Sequence, residues 1–139
     1  MDVANMPAGS GAPVDLDEVA AAAEGPWQPR IAASFNGFDA KVARFEGEFV
    51  WHVHEDVDEF FLVLDGELTI LLRENGIERA VDLAAHEVYV VPRGMEHKPV
   101  ARGGASVLMV EPSGTVNVGE RHEELTEGID ATTGTPLGR

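Results

Sequence analysis

The chain contains no cysteine among its 139 residues. This absence excludes disulfide bonds, thiolate zinc sites, iron–sulfur clusters and a cysteine nucleophile. Any metal that the protein binds must therefore take nitrogen and oxygen ligands. The five histidines become the residues to follow.

Basic residues are also scarce, with 10 Lys and Arg against 25 Asp and Glu, so the formal net charge is −15. A field of this sign repels nucleic acid and anionic membrane surfaces, and we expect neither as a partner. No apolar run approaches the roughly 18 residues of a spanning helix. The start, with Asp2 and no apolar stretch after it, does not resemble a secretory signal, which predicts a cytoplasmic protein.

The length is that of one domain, and its composition divides it into three parts. Residues 1–13 are rich in Gly, Pro and Ala and predict a mobile tail. Residues 14–112 form the domain, which begins with a short helix after Asp15 that ends before Gly25 and Pro26. Residues 113–139 predict an arm and tail, in which His122 is expected to be a solvated surface residue.

Short β-rich segments follow one another from Arg30 onward, which predicts an all-β fold. Asp65-Gly66 and Asn75-Gly76 favour tight hairpin turns between antiparallel strands. The absence of crossover helices argues for a barrel or sandwich over a parallel α/β sheet. The predicted strands are 31–34, 41–45, 48–54, 60–64, 67–72, 79–83, 88–91, 97–101 and 106–110.

Two of these strands, 60–64 and 88–91, are apolar on both faces, so something must cover their outer side. In 48–54, alternation predicts that His52 and His54 share one face while Phe49 and Trp51 share the other. Outward-facing Phe49 and Trp51 would suggest a homodimer interface. The alternative is that a terminal segment of the same chain covers them.

Four residues have the types and spacing of a metal site. His52 and His54 are separated by one residue, so both imidazoles leave a strand on the same side. Glu59 starts the next apolar strand, and His97 starts a later one just after the turn at Gly94. A barrel can bring these strands together around a single ion.

With these residues the sequence resembles the cupin superfamily. His52, His54, Glu59 and Gly66 match its first motif, and Pro92, Gly94 and His97 match its second. The resemblance spans about residues 30–112 and implies a double-stranded β-helix, or jelly-roll, barrel. It also implies that the three histidines and the glutamate are metal ligands.

Three positions depart from the family pattern. Gly47 precedes His52 by four residues where the pattern has five, His86 replaces a glycine, and Ala101 replaces an asparagine. Histidine tolerates positive φ better than most residues, so we expect His86 to be a turn residue. No ligand position is affected.

The expected function is that of a metal-dependent enzyme on a small oxygenated molecule, by dioxygenase-, isomerase- or lyase-type chemistry. Fe, Mn or Ni suit the ligand set best, and Zn or Cu also bind such sites. The alternative is a non-catalytic cupin that serves as a sensor, store or assembly module. Strand parity predicts Val50, Phe61 and Val63 as pocket walls. The catalytic residues stay unassigned, and Tyr89 is the one candidate for an acid or base. Arg93 and Lys98 are expected at the rim of the pocket.

Overall fold

The computed structural model describes residues 11–121, 129 and 132–136. His122 and residues 1–10 of the predicted tail lie outside this part of the chain. The described elements, in chain order, are α1 (Leu16–Ala21), β1 (Arg30–Phe35), β2 (Phe38–Glu48), β3 (His52–Val53), β4 (Glu59–Gly66), β5 (Leu68–Glu74), β6 (Ile77–Leu83), β7 (Val88–Val91), β8 (Glu96–Pro112), β9 (Glu120–Arg121) and β10 (Thr135–Pro136).

Helix α1 is the short helix expected after Asp15. The Asp15 side chain accepts hydrogen bonds from the backbone N–H groups of Asp17, at 2.9 Å, and Glu18, at 3.3 Å, and so caps the first turn. The helix ends at Ala21, before Gly25. No helix in the described part of the chain is both long and apolar enough to cross a membrane.

The long strand β8 organises the barrel. Its first half pairs with β5 on one edge and its second half pairs with β4 on the same edge. Strand β2 runs antiparallel to β8 along the opposite edge, from Phe38 to Glu48. The predicted strands 97–101 and 106–110 are thus parts of one strand, and the all-β jelly-roll prediction is confirmed.

The two predicted hairpins have different outcomes. Asn75 and Gly76 have φ values of 52° and 75° and join β5 to β6 in an antiparallel hairpin, as expected. The prediction for Asp65-Gly66 is wrong, because β4 pairs with β7 and β8 whereas β5 pairs with β6 and β8. Gly66 has a φ of 80°, and a Cβ there would lie 2.2 Å from the Gly104 carbonyl oxygen, so close packing against β8 requires this glycine.

The predicted strand 48–54 is the other correction. Only His52 and Val53 form a strand, so the alternation assumed for Phe49 and Trp51 does not hold. Phe49 lies under Trp27, with ring centroids 4.8 Å apart, and Trp51 is buried beneath the Arg73 guanidinium, 4.0 Å from its ring. The N-terminal part of the same chain therefore covers Phe49, which was the stated alternative.

An apolar face does remain open on the outside of strands β1, β2, β8, β4 and β7. Register places Phe60 between Val90 and Val110, and Leu62 between Val88 and Leu108. The exposed side chains here belong to Phe35, Phe38, Val88 and Val90. The prediction that something covers strands 60–64 and 88–91 therefore stays open for a single copy of the chain.

Candidate metal centre

Four buried residues bring one ligand atom each to a common point. His52 in β3 lies directly opposite His97 in β8, His54 follows β3, and Glu59 is the first residue of β4. Their ligand atoms all lie within 4.8 Å of one another. The four side chains named from the sequence thus form a single cluster.

Backbone carbonyl groups orient two of the imidazoles. His52 Nδ1 is 2.9 Å from the carbonyl oxygen of Val50, and His97 Nδ1 is 2.9 Å from that of Met95. A ring nitrogen that faces a carbonyl must carry the proton and donate it, so the Nε2 atom of each ring keeps a free lone pair. These lone pairs are what a metal ion requires.

Glu59 joins the cluster between two histidines. Its Oε1 is 3.3 Å from His97 Nε2 and its Oε2 is 3.2 Å from His54 Nε2. His54 Nε2 is nevertheless buried without a hydrogen-bond partner in the described structure, because the contact with Glu59 lacks hydrogen-bond geometry. A buried nitrogen left unsatisfied among three other ligand atoms fits a divalent metal bound by three imidazoles and a carboxylate.

Burial and mutual charge control the ionisation of the cluster. Burial, reinforced by the neighbouring His97, lowers the pKa of His52 to about 3, so this imidazole is neutral at physiological pH. Burial alone would raise the pKa of Glu59, but the adjacent His54 and His97 side chains outweigh it and hold that pKa well below its ordinary value. Neutral imidazole and ionised carboxylate are the forms that bind metal.

A second buried ionic group, which sequence reasoning missed, adjoins the ligands. Lys41 Nζ is 2.6 Å from Glu111 Oε1, and the two side chains are 0% and 1% exposed. Burial and the nearby Glu59 carboxylate raise the pKa of Glu111 to about 9, so Glu111 keeps its proton at neutral pH, and its Oε2 has no hydrogen-bond partner among the described residues. The one signal in the sequence was a charged residue at an inward position of each strand, Lys41 in β2 and Glu111 in β8.

A cavity of about 30 Å³ lies beside the cluster. This volume holds about two water molecules. Four polar side chains line it, those of His52, Glu59, Glu111 and Asn117. The remaining wall is apolar and consists of Trp27, Pro29, Phe45, Phe49, Phe61, Pro99 and Met109.

The residues expected around a substrate have mixed positions. Phe61 lines the cavity, whereas Val50 and Val63 are buried but lie outside its lining. Tyr89 packs against the core and does not line the cavity either. The two bases expected at the rim are paired with carboxylates, Arg93 with Asp58 and Lys98 with Glu48.

The C-terminal arm closes one side of the site. Arg121 of β9 pairs with His52, and Asn117 Oδ1 accepts a hydrogen bond of 3.1 Å from Lys41 Nζ. Gly119 has a φ of 51°, and a Cβ there would lie 2.4 Å from the Val53 carbonyl oxygen and 3.0 Å from His54 Nδ1. The arm can approach the ligands this closely only because residue 119 is glycine.

Two of the three motif positions that depart from the family pattern, Gly47 and His86, have positive φ values. His86 is exposed with a φ of 71°, which confirms that it serves as a turn residue. Gly47 has a φ of 73° at a shift in the register between β2 and β8. Ala101 is buried in β8.

Residues 41–112 match the Cupin_2 family, described as a cupin domain. This match covers more than half of the chain, and the chain belongs to that family. A crystal structure of a cupin-2 domain containing protein from Shewanella frigidimarina NCIMB 400 is 37% identical with a TM-score of 0.66, covering 71% of this chain and 93% of that one.

Two curated proteins share shorter segments with this chain. The uncharacterized protein YdbB of Bacillus subtilis is 41% identical over 63 residues, which are 45% of this chain and 53% of YdbB. The 3-hydroxyanthranilate 3,4-dioxygenase of Xanthomonas euvesicatoria is 28% identical over 58 residues, 42% of this chain and 33% of that enzyme. The chain thus matches about half of one curated relative and a third of the other.

Proposed function

We propose that this chain is a metal-dependent cupin enzyme that acts on a small oxygen-bearing organic molecule, with His52, His54, Glu59 and His97 as ligands. The observation that carries the proposal is the convergence of four buried ligand atoms within 4.8 Å at the wall of a cavity. Four protein ligands leave two positions of an octahedral ion for water, dioxygen or substrate oxygens. Fe, Mn or Ni suit this set best, and Zn or Cu also bind it.

The cavity favours a small substrate. Its volume of about 30 Å³ admits a molecule of a few heavy atoms, and an aromatic ring would require the wall to move. Phe61, Phe49 and Met109 provide apolar contact and exclude water from the reacting atoms. A bound metal would polarise a carbonyl or enolate oxygen, or activate dioxygen.

Dioxygenase-type chemistry is the version that we favour. The similarity to 3-hydroxyanthranilate 3,4-dioxygenase supports it. Isomerase- or lyase-type chemistry is the second candidate, because Glu111 is a carboxyl group at the cavity wall that can move a proton. One oxygen of Glu111 is already engaged with Lys41, however, which favours the oxidative version.

Turnover with and without dioxygen separates these reactions. The protein would be loaded anaerobically with Fe(II), Mn(II), Ni(II) or Zn(II) and offered short hydroxy- and oxo-acids. We expect product only with a redox-active metal and dioxygen, followed by oxygen consumption and mass spectrometry. Full activity with Zn(II) in the absence of dioxygen would overturn the dioxygenase version, and no turnover by any metal-loaded form would support the non-catalytic binding role.

We also propose that two copies associate through the open apolar face that includes Val88 and Val90. Their side chains are 51% and 46% exposed, and the half-buried Phe60 and Leu62 extend the patch. Light scattering should give the mass of a dimer for the wild type and of a monomer for Val90→Glu. A wild-type monomer at high concentration would contradict this part of the proposal.

A further inference from the structure

Trp27 is the largest side chain in the wall of the cavity beside the proposed ligands. Its ring stacks on that of Phe45, with centroids 4.4 Å apart, and lies 4.8 Å from the ring of Phe49. Phe49 in turn meets the His52 imidazole edge-on, with 5.2 Å between centroids. Trp27 is only 7% exposed, so its ring stands between solvent and the cavity, and a single aromatic ring separates it from a proposed ligand.

The backbone of Trp27 has a conformation that bulky residues rarely adopt, with a φ of 61°. The other non-glycine residues with positive φ in the described ranges are of types that tolerate it, namely Asn36, Asn75 and His86. Two hydrogen bonds hold Trp27 in place. Its backbone N–H donates to the Arg44 carbonyl oxygen at 2.8 Å, and its Nε1 donates to that of Glu46 at 2.9 Å. Strain of this kind persists only where surrounding contacts impose it, and it concentrates at functional sites.

Trp27 also lies outside the part of the chain that matches the cupin family. The match covers residues 41–112 and includes all four proposed ligands, whereas Trp27 belongs to the loop between α1 and β1. Strand β1 pairs with β2 only as far as Arg30, opposite Val42, and this loop occupies the edge of β2 beyond that point. Members of one fold differ in the molecules they bind mainly through such loops.

We propose that Trp27 is a specificity-determining residue, whose ring sets the size of the largest molecule that can reach the four ligands. The inference deepens the proposed function and rests on it, because a size limit matters only if a molecule binds beside the metal. Phe45, Phe61 and Met109 also line the cavity, but they belong to strands of the barrel. Trp27 belongs to no strand, so a smaller side chain there enlarges the cavity and leaves the register of the barrel unchanged.

The test compares Trp27→Leu with Trp51→Leu, which replaces the other of the two tryptophans in the chain. Trp51 is also buried, but it packs under the Arg73 guanidinium and does not line the cavity. After circular dichroism has verified folding, each Co(II)-loaded protein would be titrated with acetate and with benzoate, and the visible Co(II) spectrum would report anion binding. Calorimetric titration of each metal-free protein with toluene would measure access to the cavity without any metal.

We expect wild type and Trp51→Leu to bind acetate but neither benzoate nor toluene. Trp27→Leu should bind toluene and should bind benzoate at least about 10-fold more tightly than wild type, while its affinity for acetate stays within about 3-fold. If Trp27→Leu does not fold, Trp27→Phe keeps the aromatic contact with Phe45 in a smaller side chain, and the same direction of change is expected.

Equal affinities of wild type and Trp27→Leu for benzoate and toluene would overturn the proposed size limit. Toluene binding by Trp51→Leu as tight as that by Trp27→Leu would also overturn it, because any lost tryptophan would then have the same effect. Failure of the wild type to bind Co(II) would instead refute the proposed metal site, and the toluene titrations would still decide the role of Trp27.

Discussion

The inside of the barrel has two kinds of lining, and the same strands carry both. Strand β4 begins with Glu59 in the ligand cluster and continues inward with Phe61 and Val63, both fully buried. Strand β8 carries His97 and Glu111 toward its two ends and the buried Val107 between them. Strand β5, by contrast, places only apolar side chains inside, namely Leu68, Ile70 and Leu72.

The two linings differ in what they do for stability. Apolar burial contributes to folding in proportion to the area removed from water. Buried polar and charged groups cost free energy unless they are paired, and proteins concentrate such groups where function needs them. We infer that the apolar lining holds the barrel together, and we propose that the polar lining serves a ligand.

The largest effect on stability should come from the polar lining. Lys41→Met removes the cation that balances the buried Glu59–Glu111 pair and should lower the free energy of unfolding by about 3–5 kcal/mol. Lys98→Met is the matched control, because Lys98 is 17% exposed and pairs with Glu48, which is 50% exposed. Chemical denaturation measures the free energy of unfolding of both variants. Equal losses in the two would show that the buried Lys41 contributes no more to stability than Lys98 does.

A change in the apolar lining should affect stability and spare the site. Leu68→Ala should lower the free energy of unfolding by about 2–5 kcal/mol, because the cavity left in a buried core position is not refilled. Metal affinity of the folded variant should stay within about 2-fold of wild type, since Leu68 does not line the cavity beside the four proposed ligands. The exposed Ile77→Ala is the control, with an expected cost below about 0.5 kcal/mol. A large loss of affinity in Leu68→Ala would mean that the two linings are not separable.

The smallest effect is a pH dependence that comes from the polar lining. In the folded, metal-free protein Glu111 holds its proton up to a pKa of about 9, whereas the unfolded chain releases it near 4.5. The resulting stabilisation is complete below 4.5 and is lost as the pH rises toward 9. His52, whose pKa is lowered, acts in the opposite sense only below 6.5.

Between pH 7 and 9 the free energy of unfolding should therefore fall by about 2 kcal/mol, at no more than about 1.4 kcal/mol per pH unit. The fall should be absent in Glu111→Gln, which does not titrate. Urea denaturation of metal-free protein at several pH values tests this. If the free energy of unfolding falls equally in wild type and Glu111→Gln, the pH dependence comes from groups other than Glu111.

The motif residues could be predicted because their spacing reflects local geometry. His52 and His54 leave the chain on one side, and the turn that precedes β8 leads His97 to a position directly opposite His52. The same local rule holds at Asn75-Gly76, where both residues have the positive φ of a tight hairpin.

The features that could not be predicted from the sequence depend on contacts between segments that are distant along the chain. Phe49 faces the cavity because Trp27 covers it and because residues 49–51 are not a strand, which alternation cannot reveal. Gly66 makes a close approach to Gly104 instead of a hairpin. Lys41 and Glu111 are 70 positions apart in the sequence, and only the register of β2 against β8 brings them together.

The central claim is that the polar lining binds a metal ion, and elemental analysis of purified protein tests it most directly. Wild type and His86→Asn, which alters only an exposed turn histidine, should each carry about one metal ion per chain. His52→Ala and His97→Ala should lose most of it, because each removes one of four ligands. Equal metal content in all four proteins would contradict the account.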